Sequence, residues 1–292
     1  MHHNSHLTVD RGCLVCSVPE IEEHRIPLTD ILAVIIAARG ISFSSECISR
    51  LTENGTVILH CNESYHPIAK TIRLYATIHN EIFEKQISKD TEFNQKLWNK
   101  LLYAKIKNQA LLLDIIKPSH KLWNEISTNS YDEGNIARYY WKIYFSFFKD
   151  LGPPLREHKD AIYPVNQRLN YGYAVLSAIL HRSLVGHGLI TSLGIHHKYR
   201  FKSDPLLYDI MEPLRPLCEA MLASFFQKYP DIKMDEWAKT VAQGLIEHKI
   251  IISNGKTTKL IYAIDIYVRS ISECFFSNNL DKVYIPEFWG TL

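Results

Sequence analysis

The feature that most constrains this chain is a change of hydrophobic period near residue 76. Before it, apolar and β-branched residues come in short runs: HLTV, CLVCSV, RIPLTDILAVII, and TVILHC after the Asn54-Gly55 turn pair. Such runs, bounded by turn residues, read as strands. One short helix interrupts them, SSECISRLTENG, with Ser44 or Ser45 as cap, Cys47, Ile48 and Leu51 on its inner face, and Gly55 past its end. From about residue 74 onward the spacing is helical. In EFNQKLWNKLLYAKIKNQALLLDII, Leu97, Leu101, Ala104 and Leu111 share a stripe that leaves Lys100 and Lys107 elsewhere. Further helices are expected over Glu133–Phe148, Asn166–Val185, Pro205–Phe226, Asp235–His248 and Thr258–Phe276, with no strand between them. The fold class is therefore α+β: a small β-rich N-terminal domain, residues 1–76, then a larger all-α helical domain, residues 77–292. Strands and helices segregate without βαβ alternation, so no parallel sheet is expected.

At 292 residues and 46% hydrophobic, the chain can bury a sizeable core and is too apolar for disorder. Its longest uncharged apolar run, Ile31 to Ala38, falls far short of the roughly 20 residues of a membrane span. The first ten residues have no cationic stretch leading into an apolar one, so a cytoplasmic protein is expected. Six scattered Cys fit reduced thiols. Cys13 and Cys16 form a single CxxC, and a zinc ribbon needs a second. Strand thiols are thus the simpler reading, with His2, His3 and His6 the only nearby extra ligands. There is no G-x-S-x-G, no P-loop and no G-x-G-x-x-G. Net charge is +2, unevenly divided: residues 1–92 hold 8 Lys/Arg against 12 Asp/Glu, leaving 25 against 19 for residues 93–292. A polyanion would sit on the second part.

Three segments concentrate ionisable groups. In DEGNIARYYWKIYF, Asp132 and Glu133 open a helix whose apolar stripe is Ile136, Tyr140, Ile143 and Phe147. Acids there favour the helix dipole, and Gly134 would let a backbone approach. In LGIHHKYRFKSD, His196 and His197 precede Lys198, Arg200 and Lys202, a run that a solvated loop also explains. In SDPLLYDIMEPLRPLCEA, Ser203 caps, Leu206, Ile210, Leu214, Leu217 and Met221 form the buried stripe, and Asp209 and Glu212 lie three apart. Arg215 and Glu219 continue near that face, as an exposed salt-bridge ladder would. Pro213 and Pro216 each remove a donor, so the helix should kink or break beside the paired carboxylates.

In order and wording these segments resemble the CRISPR-associated adaptation integrase and endonuclease family, which inserts spacers into repeat arrays. The matches are Glu133-Gly134 opening a helix, NQRLNYGYAVLSAIL, the Gly194-x-x-His197 turn and LLYDIMEPLRP, with support from SFSSECISRLTENGTVILHCNE and LWNKLLYAKIKNQALLL. The resemblance covers nearly the whole chain. It implies a catalytic metal triad of Glu133, His197 and Glu212, with His197 rather than His196 selected by its place after Gly194. Glu212, where the family often has Asp, looks like the type II branch and leaves Asp209 as a substitute ligand or a supporting group.

The resemblance further implies Mg²⁺ or Mn²⁺, double-stranded DNA as substrate, a homodimer, a small dimeric adaptation partner and, in type II systems, an RNA-guided effector. Two carboxylates and an imidazole suit such an ion. Arg138, Lys198, Arg200, Lys202 and Arg215 are the candidate phosphate-binding residues, with Lys105 and Lys107 less central. Two other readings stand against the enzyme: a DNA-binding or assembly module whose carboxylates are ion-pair partners of Arg138 and Arg215, and a zinc protein built on Cys13 and Cys16.

Overall fold

The computed structural model describes residues 4–18, 21–62, 67–73, 80–127, 132–158, 161–198, 204–231, 233–251 and 257–287. The chain divides into two compact units, Met1–Thr77 and Ile78–Leu292.

The first unit carries strands β1 (His6–Asp10), β2 (Cys13–Val18), β3 (Ile21–Pro27), β4 (Ala33–Ile36) and β5 (Ser42–Phe43), helix α1 (Ser45–Glu53), then β6 (Val57–Cys61) and β7 (Pro67–Thr71). They form two sheets, ordered β3-β2-β1-β5 and β4-β6-β7. Contrary to expectation, both contain a parallel pair: β1 with β5, and β4 with β6 in the register Ala33 to Val57 through Ile36 to His60. A parallel pair needs a crossover, and α1 lies on the one joining β4 to β6. One nine-residue helix is too brief to register as alternation along the sequence. Ser44 caps α1 by accepting from the Cys47 N–H, and Gly55 follows it at φ +78°, a conformation that glycine adopts without strain. Cys47 and Leu51 pack with Leu7, Leu14, Ile31, Val34 and Ile58 as the core, whereas Ile48, placed on that inner face by its spacing, is exposed. Cys13 and Cys16 are free thiols on β2; His2 and His3 lie outside the described residues.

The second unit runs α2 (Asn80–Ile87), α3 (Thr91–Ile116), α4 (Leu122–Ser127), α5 (Glu133–Ser146), α6 (Pro164–Gly186), α7 (Pro205–Met211), α8 (Arg215–Lys228), α9 (Met234–Glu247), β8 (Lys249–Ile251), β9 (Thr257–Lys259) and α10 (Leu260–Ser277). The β8–β9 hairpin corrects the all-α expectation: Thr258, assigned to the last helix, pairs with Ile250 instead. α6 buries 15 of its 23 residues, so it forms the centre against which other helices pack. On α3, Leu97, Leu101 and Ala104 are buried as expected, but Leu112 and Leu113 turn inward rather than Leu111.

The expected break in the proline-rich helix is present. α7 and α8 are separated by a 3₁₀ turn over Glu212–Leu214, where Glu212 N–H donates to Asp209 O and Arg215 N–H to Glu212 O. Pro213 and Pro216 have no N–H for the α-helical ladder, so the chain tightens to i→i+3 bonds there. Asn108 of α3 donates to the Pro213 carbonyl at 2.8 Å, giving it a partner. The Ser203 cap lies outside the described residues.

Candidate active site

Asp132 caps α5 through the Asn135 N–H, which makes Glu133 the first helical residue and points its carboxylate from the end of α5 towards α3. There the Lys105 ammonium donates to Glu133 Oε1 at 3.0 Å and to Glu212 Oε2 at 2.8 Å. Two of the three implied ligands thus meet across one cation, although they lie on separate elements. Among the described residues outside its own helix turn, a Cβ at Gly134 would meet only Asp132 Oδ1, at 3.3 Å.

Glu212 lies in the 3₁₀ turn with only 11% of its side chain exposed. Burial alone would raise its pKa; Arg215, whose Nε donates to Oε1 at 3.0 Å, and Lys105 overcome this and hold it at about 2, with a contribution from His197. Lys105 is subject to the converse balance: burial opposes its charge, and the two glutamates outweigh burial and raise its pKa.

The His197 loop is built by Asp209, whose side chain is fully buried. It accepts from the Ile195 N–H (2.6 Å) and His196 N–H (3.0 Å) on Oδ2, and from the His197 N–H (3.2 Å) and ring Nδ1 (2.5 Å) on Oδ1. A carboxylate that accepts from these four donors fixes both the turn and the imidazole. Gly194 is required for closeness: a Cβ would stand 2.4 Å from the His197 carbonyl and 2.8 Å from Pro205. The two histidines part company here. His196 stacks on Trp98 at 4.2 Å between centroids, while His197 stands perpendicular to that ring and turns its Nδ1 to Asp209.

With Lys105 between the glutamates, no three His, Cys, Asp or Glu side chains among the described residues converge closely enough to hold an ion. The donor chemistry nonetheless fits one: two carboxylates already close around a cation, and an imidazole near enough to influence Glu212 whose Nδ1 is held by a carboxylate, as metal-binding histidines commonly are.

The basic residues are distributed differently from expectation. Arg215 lies behind Glu212 over the Tyr173 ring at 4.8 Å, so it supports the acid instead of facing solvent. Arg138 is exposed but bonded to Asn135 Oδ1 and Gly134 O, not to Glu133. Lys107 pairs with Glu287, Lys198 is exposed, and Arg200 and Lys202 lie outside the described residues.

Glu219 is no rung of a surface ladder. It is 1% exposed, accepts from the Tyr140 and Tyr173 hydroxyls, and its backbone carbonyl accepts from Tyr144 at 2.8 Å. Lys105 and Glu219 are the residues that sequence spacing undervalued. Lys105 was legible as the one cation on a stripe otherwise made of Trp98, Leu101, Leu102, Asn108, Gln109 and Leu112, all buried.

A β-rich unit followed by a helical unit with two glutamates around a cation and a carboxylate-held histidine defines the class. That fold is shared with a casposase solved bound to its integration product (TM-score 0.83, 18% identity, covering 95% of this chain and 90% of that one). It is also shared with a Cas1 protein from Thermotoga maritima (TM-score 0.81, 12% identity, 99% of each chain). A Cas6-RT-Cas1–Cas2 complex matches too, at a TM-score of 0.78 and 18% identity over all of this chain and 36% of that one. The chain belongs to the Cas1 family: a family model described as CRISPR associated protein Cas1 matches residues 1–249. It is 29% identical to the CRISPR-associated endonuclease Cas1 of Neisseria meningitidis, over 91% of this chain and 88% of that protein. No helix among the described residues is long and apolar enough to cross a membrane.

Proposed function

We propose that this chain is a DNA integrase and endonuclease that inserts spacers into a CRISPR repeat array, working in the cytoplasm. The observation that carries the reading is the pairing of Glu133 and Glu212 across one cation, with the Asp209-held imidazole of His197 near enough to Glu212 to help lower its pKa. Glu133, Glu212 and His197 Nε2 would hold Mg²⁺ or Mn²⁺. Such an ion, when bound, offsets the charge that builds on phosphate oxygens during displacement. Nδ1 of His197 is engaged by Asp209, so Nε2 is the ring nitrogen that would be left to hold an ion. Arg215 and Lys105 keep Glu212 ionised in a buried position. In the joining step the incoming 3′-oxygen bonds to phosphorus, its proton passing to solvent, as the bond to the strand's own 3′-oxygen breaks and that oxygen takes up a proton from solvent to leave as a 3′-hydroxyl. Water in place of the 3′-hydroxyl gives strand cleavage.

Exposed Arg138 and Lys198, with Arg200 and Lys202 of the same basic run, would hold backbone phosphates of double-stranded DNA. A homodimer, a small partner of the Cas2 kind and an RNA-guided effector complete the proposed assembly; the support for the second is the solved complex that names Cas1 with Cas2.

Glu133→Ala, His197→Ala and Glu212→Ala should each abolish joining of a 3′-hydroxyl DNA to a repeat-containing duplex while leaving duplex binding in place. Full activity in any of them removes that residue from the mechanism. A second reading, a non-enzymatic DNA-binding module, is favoured by the ion pairs that neutralise Glu212. It predicts no Mn²⁺-dependent thermal stabilisation, whereas the enzyme predicts stabilisation that the triad variants lose.

A further inference from the structure

Without any metal, the acids of this site are already neutralised. Two carboxylates face one ammonium and one guanidinium, and Lys105, Glu212 and Arg215 each expose less than a fifth of their side chains. The Lys105 ammonium touches both carboxylates, so it stands in the position that a shared ion would take. An ion added beside it would leave a partly buried net charge of +2, which a low-dielectric site disfavours. Lysine is also the cation best suited to leave: a point charge on a flexible four-carbon stem, unlike the fork of Arg215, which is held against Glu212 and the Tyr173 ring.

We propose that Lys105 is a resident counter-ion that a divalent cation must displace from between Glu133 and Glu212, so that this one ammonium sets the metal affinity of the empty enzyme. This rests on the reading of Glu133, His197 and Glu212 as ligands. It accounts for the absence of a converged three-ligand cluster among the described residues: Nζ holds the carboxylates apart. It also gives the site an order of events. Displacement of the ammonium leaves it close to the carboxylates yet unpaired, and a substrate phosphate is the anion that would then balance the site, so DNA should tighten metal binding.

The test is Mn²⁺ binding by isothermal titration to the full chain without DNA, comparing wild type, Lys105→Gln, Lys105→Arg and Glu212→Gln. Lys105→Gln is expected to bind Mn²⁺ at least about tenfold more tightly than wild type, since one nearby unit charge is removed. Lys105→Arg, which keeps the charge, should bind no more tightly than wild type, and Glu212→Gln should lose binding. Unchanged or weaker affinity in Lys105→Gln overturns the proposal while leaving the ligand assignment intact. Unchanged affinity in Glu212→Gln overturns the ligand assignment and the proposal with it. A Mn²⁺-soaked crystal of the wild-type protein decides independently of how the variants fold. Nζ withdrawn from at least one carboxylate is the expected result, and Nζ still bridging both beside a bound ion overturns the proposal.

Discussion

His197 donates twice to one oxygen of Asp209, through its backbone N–H at 3.2 Å and its ring Nδ1 at 2.5 Å. One buried carboxylate therefore fixes both the course of the Gly194–His197 turn and the orientation of the ring. Because Asp209 is the residue one turn before Glu212, the same short helix that ends in one candidate ligand also positions another.

Asp209→Asn should for this reason act on more than the fold. An amide offers a single acceptor oxygen and turns an NH₂ group towards donors that the carboxylate satisfied. A loss of about 2 kcal/mol in urea denaturation is expected from the disrupted network. Mn²⁺ affinity should fall by roughly 10- to 100-fold, the usual effect of removing the group that orients a ligating histidine. A variant that is less stable but titrates with Mn²⁺ as wild type does would confine Asp209 to a structural role.

What could be read from the sequence follows from which properties are local. The strand-to-helix switch, the Ser44 cap, the start of α5 at Glu133 and the break at Pro213 and Pro216 are decided by neighbours a few residues away, and all are present. The β4/β6 parallel pair is not local: its register depends on α1 crossing between strands that carry no mark of their partners. The site divides in the same way. Glu133, His197 and Glu212 were named through resemblance, but Lys105 and Asp209 take their meaning from side chains 28 and 12 residues away. Arg215 and Glu219 looked like a surface ladder because a helix between prolines gives no sign of being buried on all sides.

Glu212 makes the acid limb of stability testable. Its folded pKa of about 2 lies below the ordinary 4.5, so its stabilisation is complete above about pH 4.5 and is lost as pH falls towards 2. A shift of that size corresponds to about 3 kcal/mol. Unfolding free energy measured from pH 5 down to pH 2 should therefore fall more steeply in wild type than in Glu212→Gln, whose side chain does not titrate. Parallel profiles would mean that Lys105 and Arg215 do not hold this carboxylate in solution as they do here.

Glu219 should show the opposite sign. Burial raises its pKa, and hydrogen bonds from Tyr140 and Tyr173 together with Arg215 only partly counter this. The folded state thus holds the Glu219 proton more tightly than the unfolded chain does. The associated stabilisation is present below pH 4.5 and is lost as pH rises through the folded pKa. Glu219→Gln removes that dependence and keeps an oxygen able to accept from the tyrosines, so at pH 7 it should be at least as stable as wild type. Glu219→Ala leaves two buried hydroxyls without their acceptor and opens a cavity, and should cost about 3 kcal/mol at pH 4 and less than that at pH 7, where wild type has itself lost the stabilisation linked to the Glu219 proton. Denaturant titrations of the three chains at both pH values separate the cases. A Glu219→Gln chain as damaged as Glu219→Ala at pH 7 would show that the ionised carboxylate, paired with Arg215, is the form the fold requires.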